Sequence, residues 1–116
     1  MGDRDTPPSL SPLQFDILLA LTDRPLHGYG ILRDVGDAAR GTARLGTGAL
    51  YTAIARLVAI GLIHETDRRD EDDARRRYYS LTARGRVALR AEATRLERRL
   101  AEARRRGIRP VAAGRS

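Results

Sequence analysis

The side chains able to do chemistry in this 116-residue chain are hydroxyls and guanidinium groups, and their spacing suits reading a surface rather than building a nucleophile. Thr47, Tyr51, Thr52 and Arg56 fall within one helical segment together with Gly48 and Ala49, and Arg68, Arg69, Arg75, Arg76 and Arg77 follow in a charged stretch. With Leu50 facing inward, a rotation of about 100° per residue puts Gly48, Ala49, Thr52, Ala55, Arg56 and Ala59 on the outward arc and Tyr51 at its edge. Small side chains let a helix approach the floor of the DNA major groove and touch thymine methyls, while Thr52 and Arg56 offer hydrogen bonds to base edges. The later arginines suit phosphate or the negative potential of a minor groove.

Other chemistries lack their parts. His27 and His64 have no ligand neighbours at metal-binding spacing, and the absence of cysteine excludes disulfides and thiolate sites. Neither a Ser/His/Asp set nor a phosphate-binding glycine loop is present, since Gly46 and Gly48 lack the preceding strand and the lysine that a P-loop needs. The carboxylates from Asp70 to Asp73 read as a solvated turn more readily than as a cation site. The expectation is a non-enzyme without metal or cofactor. No run is long and apolar enough to span a bilayer and no secretory leader opens the chain, so the expected compartment is the cytoplasm.

The formal charge of +7 points to a polyanionic partner, but its placement matters more than its size. All 22 basic residues are arginine, which reads as a compositional habit as much as an adaptation. Residues through Ile63 balance to zero, His64 to Thr82 carry net −1, and the remainder carries net +8. The excess therefore lies beyond the segment best suited to base contacts.

Several elements must hold these groups. Residues 1–9 are polar and proline-bearing and read as a flexible arm. Ser11, Pro12 and Gln14 predict a capped first helix with Leu10 and Phe15 as its hydrophobic staple and Phe15, Leu18, Leu19 and Leu21 on its core face. A second helix is expected over Tyr29–Ala39, with Ile31, Leu32, Val35 and Ala39 inward. After a Gly41–Gly46 loop, a third is expected with Thr47 as N-cap, Leu50, Ile54, Leu57 and Val58 inward, and Gly61 as stop. Leu62–Thr66 and Arg77–Leu81 suit two strands of a hairpin. Thr82 opens a long helix that Gly107 closes, with Leu89, Ala93, Leu96, Leu100 and Ala103 at alternating spacings of four and three, a seam for a partner helix.

Three blocks carry a resemblance: HGYGI at His27–Ile31, GALYTAIARLVAIGLI at Gly48–Ile63 and RRRYYSLTARGRVAL at Arg75–Leu89. In this order they resemble the PadR-type winged helix-turn-helix transcriptional regulators, in the smaller subgroup with a single C-terminal dimerisation helix. The resemblance implies a mainly α fold with a two-stranded β-wing. Residues 10–82 would form the DNA-binding domain, 83–107 the dimerisation helix and 108–116 a disordered tail. Carried over by position, Tyr29, Gly48, Leu50, Tyr51, Arg56, Leu57, Gly61 and Leu62 would serve the helix-turn-helix, and Tyr78, Tyr79, Leu81, Thr82 and Gly85 the wing and its exit. Ala49 departs from the threonine frequent in the family, leaving Thr47 or Thr52 to supply a hydroxyl. The family implies a homodimer repressing from an inverted-repeat operator, with Phe15 joining the seam residues at the interface and a small hydrophobic effector in the dimer cleft. The chain has no tryptophan, so such an effector would meet Phe15 or aliphatic side chains. The competing reading is a winged-helix interaction module whose basic C-terminal segment docks onto an acidic partner without binding DNA.

Overall fold

The computed structural model describes residues 6–38, 46–66 and 77–111. In chain order these form α1 (Pro12–Ala20), β1 (Leu26–His27), α2 (Gly28–Ala38), α3 (Thr47–Ala59), β2 (Ile63–Thr66), β3 (Tyr78–Leu81) and α4 (Ala83–Arg105). Strands β2 and β3 make the expected antiparallel hairpin, and β1 adds a short third strand, giving the order β1-β3-β2. The wing itself is the expected two-stranded hairpin, and the sheet gains a strand beyond it because Pro25 takes Arg24 out of helical geometry. The extended backbone that follows then pairs Leu26 with Tyr79 and His27 with Tyr78.

Helix α1 starts as its sequence dictates. The Ser11 hydroxyl accepts from the Gln14 N–H at 3.1 Å, and the Gln14 side chain accepts from the Ser11 N–H at 2.9 Å. Its inward face differs from expectation: Ile17, Leu18 and Leu21 are buried, Phe15 is half-buried, and Leu19 is 49% exposed. The apolar run from Ile17 to Leu21 leaves the inward arc undetermined by periodicity, and packing against α2, α3 and α4 selects it. In α3, Leu50, Ile54 and Leu57 face in, whereas Val58 is 37% exposed. Thr47 is the first helical residue rather than the cap; Gly46 occupies the N-cap and makes no side-chain bond. Among the described residues the core is wholly apolar, combining these side chains with Ile31, Val35, Leu62, Ile63, Ala88 and Leu89. Burying each large aliphatic side chain contributes about 1.5 to 3 kcal/mol.

The exit from α3 sets the direction of everything after it. Gly61 takes φ +83°, a left-handed conformation that costs a glycine nothing, and the Leu62 N–H returns to the Leu57 carbonyl at 3.0 Å. The Leu62 carbonyl then accepts from the Thr82 N–H at 3.1 Å. The Thr82 hydroxyl donates to the Gly61 carbonyl at 2.8 Å and accepts from the Gly85 N–H at 2.9 Å, so one side chain caps α4 and fastens it to the end of α3. A Cβ on Gly85 would fall on the Leu62 carbonyl oxygen, which is backbone and cannot turn aside. By contrast, a Cβ on Gly36 in α2 meets nothing within 4 Å. Gly85→Ala is expected to destabilise by about 1 to 3 kcal/mol through overpacking, and Gly36→Ala to stabilise by about 0.5 to 1 kcal/mol through helix propensity, as read from urea unfolding.

Candidate nucleic-acid interface

Helix α3 presents the arc expected of it. Gly48, Ala49, Thr52, Ala55, Arg56 and Ala59 are exposed, and Tyr51 is 48% exposed. The face is short and flat, with Thr52 and Arg56 as the groups reaching out from it. Thr47, the first residue of α3, is also exposed, whereas Arg56 lies in the last turn of the helix.

One contact fixes this face against α2, and His27 orders the start of α2 beside it. The Tyr51 ring lies over Gly28 so closely that a Cβ there would come within 2.6 Å of the ring and its hydroxyl oxygen. His27 caps α2, its Nδ1 accepting from the Gly30 N–H at 3.0 Å, so the proton of the neutral ring sits on Nε2. The same imidazole meets Tyr78 edge-on, with centroids 5.3 Å apart, and stacks on Tyr29 at 6.4 Å. The sequence block HGY thus has a physical account: an acceptor for the cap, room for the α3 tyrosine, and an exposed ring. The His27 cap was missed because histidine is not a usual capping residue.

The root of the wing is aromatic as well. Tyr79, across from Leu26 and Glu65, is half-buried, and burial pushes its phenol above the ordinary value of 10.0, with Glu65 adding to the shift. Arg77 Nη1 lies 3.0 Å from Glu65 Oε2, an exposed pair across the hairpin. Any phosphate would have to compete with that carboxylate for Arg77. Arg68, Arg69, Arg75 and Arg76, expected to contact the backbone, lie outside the described residues, as does the acidic run from Asp70 to Asp73.

The expected seam on α4 divides. Ala93 is exposed, Leu96 is 44% and Leu100 36% exposed, and Ala103 is half-exposed, whereas Leu89 is already buried in its own core at 8%. Leu89 is therefore satisfied within one chain, because the first turns of α4 cross α1 before the helix clears the domain. Phe15 and Leu96 line a groove of about 260 Å³ between α1 and α4, with Asp16, Glu92 and Arg99 on its walls. Desolvation raises the Asp16 carboxyl above its ordinary 3.8. Glu92 is held below 4.5, first by the hydrogen bond from Arg95 and then by the Leu10 N–H. No helix among the described residues is long and apolar enough to cross a membrane, and no group of three or more His, Cys, Asp or Glu there could hold a metal.

Three helices, the last with an open outer face and followed by a hairpin that returns beside the second, define a winged helix-turn-helix. The PadR-like family of transcriptional regulators matches residues 17–91, and the chain belongs to that family. An uncharacterized 37.1 kDa protein in a Streptomyces fradiae transposon is 41% identical over 80 residues, which are 69% of this chain and 21% of that protein. The chain thus spans about a fifth of the length of this relative. Among solved structures, a PadR family transcription regulator from Clostridium difficile superposes with a TM-score of 0.68 at 22% identity, covering 82% of this chain and 97% of its own. A transcriptional regulator from Clostridium thermocellum superposes at 0.64 with 26% identity, covering 73% of this chain and 80% of its own.

His27→Ala is expected to cost about 1 kcal/mol in thermal or urea unfolding and His27→Asn to restore most of it, since asparagine can accept the same N–H. Glu92, whose carboxyl is lowered in the fold, contributes its contacts fully above 4.5 and loses them as pH falls through the folded value. Glu92→Gln should accordingly flatten the acid side of the stability profile, and an unchanged profile would remove Glu92 from that role.

Proposed function

We propose that the chain is a cytoplasmic homodimeric repressor that reads an inverted-repeat operator, with α3 of each copy in the major groove and the wing beside the backbone. The observation that carries this reading is the exposed small-residue face of α3 bearing Thr52 and Arg56, held by Tyr51 on Gly28. A helix bare of bulky side chains can approach base edges closely, and a single long arginine can then make a bidentate contact with guanine. Because that face carries little charge, affinity must draw on phosphate contacts around it and on pairing two half-sites in one dimer.

Dimerisation would use the exposed part of the α4 seam, Ala93, Leu96, Leu100 and Ala103, together with Phe15. Leu96 and Leu100 are large apolar groups left open on the later turns of α4, and the groove beside Leu96 continues onto α1 at Phe15. An effector would enter that groove. Its walls call for a small, largely apolar molecule carrying a polar group to meet Asp16 or Arg99.

Arg56→Ala should weaken binding to a duplex from the chain's own upstream DNA by about 1 to 3 kcal/mol if the contact is bidentate to guanine, and unchanged binding and salt slope would take Arg56 out of the interface. Leu96→Asp with Leu100→Asp should give monomers in sedimentation and much weaker binding. A dimer surviving both changes would contradict the seam. Wild-type protein that an excess of random duplex strips completely from its upstream DNA would favour the interaction module instead.

A further inference from the structure

An exposed aromatic shelf lies beside the recognition face, and the α3 reading does not use it. Tyr29 is 56% exposed, the most open tyrosine among the described residues, yet its ring has two neighbours. The His27 imidazole stacks near it with planes 19° apart, and the Arg33 guanidinium carbon lies 6.0 Å from its centroid. His27 is fixed in turn by its cap on Gly30 and by the Tyr78 ring. The shelf adjoins α3 directly, because Gly28, the neighbour of Tyr29, carries the Tyr51 ring.

We propose that Tyr29 and Arg33 form a sugar-phosphate contact that fixes the register of α3 in its groove. The inference rests on the DNA-binding reading, adds Arg33 to it and gives Tyr29 a specific contact within it. When the second helix of a helix-turn-helix enters the major groove, the first crosses the backbone, and Tyr29 and Arg33 stand one turn apart on the solvent side of that first helix. Both occupy the face opposite Ile31, while Asp34 lies about 100° around the helix, clear of the shelf. The chemistry suits a phosphodiester: the phenol donates one hydrogen bond, and the guanidinium supplies a planar fork of donors with a permanent charge. Ordering these groups before binding lowers the entropy lost on contact. Such a contact positions the protein without reading sequence.

The test measures anisotropy of a labelled duplex from the chain's own upstream DNA, and of a random duplex of equal length, over a salt series. Arg33→Ala should shallow the salt slope by about one and weaken both duplexes alike, by roughly five-fold near physiological salt. Tyr29→Phe, which keeps the ring and its stack, should weaken both by roughly three- to ten-fold with the slope unchanged. Matching thermal unfolding of the variants and the wild type would show that the fold is intact. If both variants bind as wild type while Arg56→Ala weakens binding, the shelf is not an interface and the α3 reading stands. Loss confined to the upstream duplex would also overturn the backbone assignment, and a wild type that binds neither duplex would remove the DNA reading itself.

Discussion

The close approach of α4 to the Leu62 carbonyl, possible because residue 85 has no side chain, is the contact on which the rest of the arrangement depends. Around it the chain reverses out of α3 through the left-handed Gly61, starts the wing at Ile63, and leaves the wing through Thr82 into α4. Thr82 and Leu62 tie both ends of the hairpin to one point, and the Arg84 guanidinium adds a bond to the Ile60 carbonyl at 3.0 Å. The outer face of α3 and the apolar strip of α4 are therefore parts of one rigid frame.

A second junction aligns the other end of α3. Tyr51 rests on Gly28, His27 caps α2, and the short β1 strand joins this corner to β3 of the wing. Helix α3 is thus fixed in its first half by the Tyr51 ring on Gly28 and at its end by backbone hydrogen bonds. Such support suits a face with few polar groups of its own. In the proposed role, Thr52 and Arg56 would select bases only if the helix entered the groove at a defined depth and angle.

Much of this was legible in the residues. Ser11, Pro12, Gln14, Thr82 and the two glycines that end α3 and α4 mark boundaries through local hydrogen-bonding and backbone chemistry, and those signals act within a few residues. The outward arc of α3 was equally readable, because Leu50, Ile54 and Leu57 fix the inward side and leave the small residues, Thr52 and Arg56 opposite. Where tertiary packing decides, the pattern was silent. Leu19 and Val58 are as apolar as their buried neighbours, and the geometry of adjacent helices leaves them out. Leu89 fits the α4 seam by spacing, but the crossing of α4 over α1 uses it within the chain. The third strand, the His27 cap and the Arg77–Glu65 pair depend on residues brought together from different elements, which spacing along one element does not reveal.

In the proposed complex, two copies of this fold would place two α3 faces on one side of a duplex. Chemical footprinting of wild-type protein on its upstream DNA tests it most directly, by mapping which major-groove positions become protected. Two protected segments are expected, related by inverted symmetry and spaced about one helical turn, roughly 34 Å, or a multiple of it apart. A single protected segment, or none that resists competing random duplex, would contradict it.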